Sequence, residues 1–311
     1  MKFLDLFAGI GGFRLGMEAA GHECVGYVEW DKHARKSYEA IHDTEGEWTA
    51  NDITKVTKDE LQQLKGKGID VICGGFPCQS FSIAGNRRGF EDTRGTLFFE
   101  IARFAKELQP KYLFLENVQG ILNHKGGETF EIILKTLDEL GYDADWQLCN
   151  SRHYGLSHNR ERTFIIGYLR GSSSRSILPI RGFSQTNKSK RDRIKNDQKL
   201  PTINIKEATK KGYATALVGD SINFEFPNSK TRRGRVGKGV AQTLTTSCNQ
   251  GILTKDGRIR RLTPRECWRL QGFPDSAFDK AKEVNSDSQL YKQAGNGVSV
   301  NVIYEIAKKL N

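Results

Sequence analysis

Apolar and polar positions along this chain follow two different rhythms. In the first 170 residues, short apolar runs alternate with stretches of helical period. Residues 2–7 read as a strand that ends in a Gly-rich turn, and residues 13–20 as a helix. Residues 24–28 form a second strand, closed by Glu29-Trp30-Asp31, and residues 34–41 a second helix. Residues 71–73 are the middle of a further strand, and residues 97–108 carry a strong amphipathic period. Residues 112–115 read as a strand ending at Glu116-Asn117-Val118, residues 130–140 as a helix and residues 163–169 as a late strand. This alternation predicts an α/β fold: a Rossmann-like, doubly wound, mostly parallel sheet with helices on both faces.

From residue 171 the rhythm fades. Gly171-Ser172-Ser173-Ser174 reads as a linker, residues 188–199 are basic and polar, and few apolar runs follow until about residue 253. A second, smaller and irregular domain of strands and loops is expected there. Regular pattern resumes after Arg260, with a short helix at 264–270 and an amphipathic terminal helix from residue 300. The expected organisation is a first domain over 1–170, a small domain over 171–255, and a segment over 256–311 that returns to the first domain.

Composition narrows the class. The chain has 311 residues, 37% hydrophobic and 27% charged, and holds no apolar run of membrane-spanning length. Six scattered cysteines form no C-x-x-C pair and match no zinc spacing, so reduced thiols in a cytoplasm and no metal are expected. The net charge of +11 is concentrated: residues 170–240 carry 17 Lys or Arg against 5 Asp or Glu. Either a polyanionic partner or a solvated basic linker accounts for that excess.

Two places along the chain carry chemistry. Phe7-Ala8-Gly9-Ile10-Gly11-Gly12 follows a strand and opens a helix, and Glu29 lies 20 residues after Gly9 at the next strand end. In that geometry the acidic residue binds ribose hydroxyls, and Trp30 is placed to lie on an adenine face. Asp52-Ile53 stands at a third strand end. The dinucleotide fingerprint is broken, with Leu15 where its third Gly would fall and Gly16 one later. An adenosyl cofactor without phosphates fits this turn, and a purely structural turn is the alternative. The second place is Gly75-Phe76-Pro77-Cys78-Gln79-Ser80, where a buried strand opens into a Gly- and Ser-rich loop. A free Cys is most often a small buried hydrophobe; a thiol at this junction is also positioned to reach a substrate.

Seven segments in order resemble those of the bacterial cytosine-5 DNA methyltransferases. They are Asp5-Leu6-Phe7-Ala8-Gly9-Ile10-Gly11-Gly12, Glu29-Trp30-Asp31, Gly75-Phe76-Pro77-Cys78-Gln79, Glu116-Asn117-Val118, Arg160-Glu161-Arg162, Arg261-Leu262-Thr263-Pro264-Arg265-Glu266 and Gln293-Ala294-Gly295-Asn296-Gly297-Val298. The resemblance covers nearly the whole chain. It implies the S-adenosylmethionine-dependent methyltransferase fold and transfer of a methyl group to carbon-5 of a flipped-out cytosine. It implies Cys78 as nucleophile, Glu116 at ring nitrogen 3, and Arg162, with its neighbour Arg160, at the cytosine carbonyl. His158 stands where the family usually has Gln. The implied cofactor is S-adenosylmethionine, held by Phe7, Gly9, Gly11, Glu29, Trp30, Asp52, Ile53, Pro77, Asn296 and Val298, with Leu97 a weaker candidate.

The same resemblance makes 171–255 the target-recognition domain and residues 80–95 a loop that closes on DNA. Arg232, Arg233, Arg235, Lys238 and Thr243 are expected on double-stranded DNA from the first, and Ser82, Arg87, Arg88 and Arg94 from the second. A monomer that guards a short DNA sequence against a cognate restriction endonuclease is the implied setting. A tRNA cytosine-5 methyltransferase and a catalytically silent DNA-binding relative are the alternatives.

Overall fold

The computed structural model describes residues 1–77, 97–173, 175–182 and 200–310. Two compact units divide the chain. One comprises Met1–Cys149, Glu161–Arg181 and Val298–Asn311; the other comprises Asn150–Arg160 and Gly182–Gly297.

The first unit is built on a seven-stranded sheet. Its strands are β1 (Lys2–Leu6), β2 (Glu23–Val28), β3 (Trp48–Ala50), β4 (Val71–Gly75), β5 (Tyr112–Val118), β6 (Tyr142–Asn150) and β7 (Glu161–Leu169), in the spatial order β3-β2-β1-β4-β5-β7-β6. Strands β1 to β5 pair in parallel, and β7 runs antiparallel to β5. The order reverses beside β1, where β2 lies on one flank and β4 on the other. In open sheets of this kind, ligands bind outside the carboxyl ends of the strands at such a switch point. The expected α/β sheet is therefore present, and the expected site residues Phe7, Glu29, Pro77 and Glu116 follow or end β1, β2, β4 and β5.

Local sequence accounts for the helices. They are α1 (Gly12–Ala19), α2 (Lys32–Ile41), α3 (Lys58–Gly66), α4 (Leu97–Leu108) and α5 (Glu128–Glu139). Asp31 caps α2 by accepting the amides of His33 and Ala34, and Thr57 with Glu60 forms a capping box on α3. Gly16 belongs to helix packing: a Cβ there would lie 2.6 Å from Ile303 of the terminal helix Val300–Ala307. The main core joins Leu4 and Leu6 of β1 to Ile72, Leu113, Leu115, Phe98, Ile101 and Phe104.

In the second unit the strands share a small apolar core, and the helices carry their own. A four-stranded sheet runs β11 (Val236–Gly237), β10 (Ser221–Asn223), β12 (Gln250–Leu253) and β13 (Ile259–Arg261), beside a hairpin of β8 (Thr202–Lys206) and β9 (Tyr213–Leu217). Ile205, Ala216, Ile222, Val236 and Leu253 form its small core. Helices Pro264–Leu270, Asp275–Val284 and Asp287–Asn296 belong to this unit, around Trp268, Phe273 and Phe278. The chain rejoins the first unit at Val298, where the sequence pattern had drawn that return at residue 256. Among the described residues no helix is long and apolar enough to cross a membrane.

Asp5 is a cost built into the sheet. It sits next to the last residue of β1, fully buried, and among the described residues only the Tyr38 hydroxyl reaches its carboxyl group, at 3.4 Å. Burial pushes its pKa well above the ordinary carboxylate value, against the opposing pull of Arg14. A carboxyl raised in the folded state contributes stability that is complete below its unfolded pKa and lost as pH rises through the folded one. Asp5→Asn is therefore expected to raise the melting temperature relative to the parent chain by more at pH 8 than at pH 5. Melting curves of both proteins across that range check it; a difference independent of pH would show that Asp5 does not titrate there.

Candidate active site

At the end of β4, Gly75 pairs in register with Glu116 of β5. A Cβ on Gly75 would stand 3.1 Å from Glu116 Oε2 and 3.8 Å from Val298 Cγ1. The missing side chain is what lets the carboxyl group lie across the strand end. Gly74 is equally confined, since its Cβ would meet the Leu6 carbonyl at 3.0 Å and the Phe7 ring at 3.6 Å. Gly75 thus leaves room on its side for the expected catalytic carboxyl group beside Val298, and Gly74 leaves room for Phe7; both Phe7 and Val298 are expected cofactor contacts.

Glu116 is almost buried, and Arg162 Nε approaches its Oε1 at 2.9 Å from the neighbouring antiparallel strand. The approach is an ion contact without hydrogen-bond alignment, so Oε1 has no aligned donor. Arg162 also donates to the Glu161 carbonyl. A low-dielectric pocket strengthens such a pair and raises the cost of removing either partner alone.

Asn117 fixes the next segment. Its Nδ2 donates to the Phe76 carbonyl at 2.8 Å, and its Oδ1 accepts the Val118 amide at 2.9 Å. Phe76 is buried against Phe98. The backbone entering exposed Pro77 is therefore held from both sides. Sequence reading quoted Asn117 within its motif but gave it no role; its signal was its position beside Glu116 at a strand end. Cys78, Ser82, Arg87, Arg88 and Arg94 lie outside the described residues.

The glycine turn offers a matching recess. Phe7 and Gly9 both have positive φ, and nothing lies within 4 Å of a Cβ built on Gly9. Gly11 is the opposite case: a Cβ there would fall 2.0 Å from His42 Nε2. Glu29 accepts the Gly9 amide on one carboxyl oxygen and the Asp31 amide on the other, each at 2.7 Å. Burial raises its pKa, and these two amides oppose the rise. Trp30 is 74% exposed, with its ring face free for a planar group. Asp52 accepts the hydroxyl and amide of Thr54, which hold its carboxyl below the usual range, and Ile53 is buried beside it. Leu97 packs partly against the core. Open space at Gly9, an acidic strand end and an exposed indole fit an adenosyl group.

Arg160 does not join Arg162 on one strand face. Strand β7 begins at Glu161, and Arg160 is 3% exposed, donating to the Gly297 carbonyl at 2.8 Å within the second unit. His158 is fully buried and bridges to Ala241. In that unit Asn296 is exposed, on the last turn of Asp287–Asn296.

Expected DNA contacts divide sharply. Arg235 is buried and donates to the carbonyls of Asn223, Lys206 and Pro227, so it braces the loop from inside. Arg232 pairs with Glu225 at 3.0 Å and lies over the Phe226 ring. The Thr243 hydroxyl donates to the Asn159 carbonyl. Arg233 and Lys238 are exposed.

The C-5 cytosine-specific DNA methylase model matches residues 1–311. The Type II methyltransferase M.HhaI of Haemophilus parahaemolyticus is 37% identical over 332 residues, covering 100% of this chain and 95% of the relative. M.NgoBI of Neisseria gonorrhoeae, also a Type II methyltransferase, is 38% identical over 317 residues, covering 99% and 92%. Among solved structures, the S. pombe Dnmt2 methyltransferase superposes with a TM-score of 0.65 at 19% identity, over 99% of this chain and 97% of that one. With its motifs matched end to end, the chain belongs to the C-5 cytosine-specific DNA methylase family, as a DNA (cytosine-5-)-methyltransferase.

Proposed function

We propose that this chain methylates carbon-5 of a flipped-out cytosine in a short double-stranded DNA sequence, through a covalent bond between Cys78 and carbon-6. The observation that carries the reading is the strand-end arrangement of Gly75, Glu116 and Arg162, with the backbone at Phe76 tied down by Asn117.

Carbon-5 of cytosine is a weak nucleophile. Addition of the Cys78 thiolate to carbon-6 pushes an electron pair toward ring nitrogen 3 and makes carbon-5 enamine-like. Glu116 is placed to hold a proton at that nitrogen, and the Arg162 guanidinium to stabilise charge on the carbonyl oxygen. S-adenosylmethionine supplies an electrophilic methyl group when bound. Loss of the carbon-5 proton then returns the electron pair and expels the Cys78 thiolate. Phe7, Gly9, Glu29, Trp30, Asp52 and Ile53 would hold the cofactor, with Asn296 and Val298. Protection of DNA against a cognate restriction endonuclease is the setting that the Type II names of the relatives suggest.

Bisulfite sequencing of genomic DNA from cells expressing the chain tests the reading. Cytosines protected in one short motif, absent with Cys78→Ser, are the expected result. Methyl incorporation into tRNA but not duplex DNA would overturn it.

Gly75→Ala probes this strand end. Its Cβ at 3.1 Å makes the Glu116 carboxyl group give by a few tenths of an ångström, and a misplacement near 1 Å costs up to ~100-fold in rate. A fall of about a few-fold in kcat is expected, as steady-state kinetics with a duplex substrate would measure.

Arginines in the second unit are expected to separate by burial. Arg233→Ala and Lys238→Ala should weaken duplex binding and flatten its salt dependence, leaving the melting temperature in place. Arg235→Ala should instead destabilise the fold by about 3 kcal/mol, since it strips charged hydrogen bonds from three carbonyls. Gel shifts at several salt concentrations and thermal melts on all three variants check the division.

A further inference from the structure

The helix Asp287–Asn296 ends in the motif expected to reach the cofactor, and one buried amide grips that end. Gln271 is fully buried at the C-terminus of Pro264–Leu270. Its Nε2 donates to the Ala294 carbonyl at 2.7 Å and to the Gly297 carbonyl at 3.1 Å. Two carbonyl acceptors fix the amide's orientation and use both of its N–H bonds. Arg160 places a second donor on the Gly297 carbonyl, and Trp268 Nε1 donates to Leu290 one turn earlier. Carbonyls at a helix C-terminus have no partner in the helix and carry partial negative charge, which is what these donors satisfy. From the other side, Gly295 is pressed on the Thr245-Thr246 backbone, where a Cβ would meet atoms at 2.7 Å.

Asn296 lies between the two carbonyls that Gln271 ties down, and it alone of that stretch is exposed. A side chain whose flanking backbone is fixed loses little freedom on binding a ligand. We infer that Gln271 is a positioning residue that presents Asn296 to S-adenosylmethionine, an inference that rests on the cofactor reading above. Sequence offered only a Gln after a helical run, with nothing to mark it.

The test is binding of S-adenosylhomocysteine by titration calorimetry, which needs no turnover. Gln271→Leu keeps the volume and removes both donors; its Kd is expected to rise about tenfold or more. Gln271→Glu keeps the shape, but its carboxylate cannot donate. As pH falls from 8 to 6, protonation restores one donor, so its affinity should recover relative to the parent chain. Combined with Asn296→Ala, Gln271→Leu should cost little further, because both changes remove one interaction. Parent-like binding by both Gln271 variants would overturn the inference and leave the cofactor reading standing. A Gln271→Glu loss that is equal at every pH, or costs that add fully with Asn296→Ala, would mark general structural damage and overturn it too. Failure of the parent chain itself to bind the probe would remove the cofactor reading, and this inference with it.

Discussion

The candidate site is organised around the pairing of Gly75 with Glu116. Adjacent parallel strands bring these residues side by side, and the absence of one Cβ decides what lies between them. With a side chain at 75, the carboxyl group would have to move and the space toward Val298 would narrow. The sheet supplies the rigidity, because β4 and β5 are central strands buried on both faces. Chemistry that needs a carboxyl group held to within about half an ångström is better built on such strand ends than on free loops.

The same two strands also hold the backbone at Phe76. Asn117 follows Glu116 in β5, so its side chain leaves the opposite face of the strand. From there it reaches the Phe76 carbonyl. One dipeptide therefore places a carboxyl group on one face and ties the Phe76 backbone on the other. Glu116 and Arg162 in turn hold each other in a nearly dry site. Their mutual attraction offsets the desolvation of both, and neither is tolerable there alone. A pair of this kind is in place before substrate enters, which is what electrostatic preorganisation requires.

How much of this was legible depended on whether hydrophobic pattern or hydrogen bonding decided the local structure. Strands β1, β2 and β5 and helix α4 were readable because their apolar positions follow the expected periods. Strand β6 was not: Tyr-Asp-Ala-Asp-Trp-Gln-Leu-Cys-Asn is polar through much of its length, as an edge strand with partly exposed faces can be. Helix α3 and the helices spanning 275–296 were passed over because polar residues dilute their apolar stripes. In the candidate site, the glycine, carboxylate and arginine types singled out in the sequence fall at or beside strand ends. The type alone could not say which arginine was exposed. Arg160 and Arg235 are charged in sequence and interior in structure, since a guanidinium can satisfy several backbone carbonyls at once.

That use of arginine explains how strands with so small an apolar core of their own keep a defined surface. Five residues make up its strand core, too few to fix a long loop by packing. Buried polar groups do the fixing instead. Glu207 accepts the amides of Gly234 and Val236, Asp220 accepts those of Leu217 and Gly239, and Arg235 caps three carbonyls between them. Each bond is directional, so the loop over 232–239 has one geometry rather than many. The positive charge counted along the sequence is thus divided between interior and surface. Arg235 shapes the loop, and Arg233 and Lys238 are left at its surface. Net charge overstates the binding surface of such a unit, and burial is what corrects it.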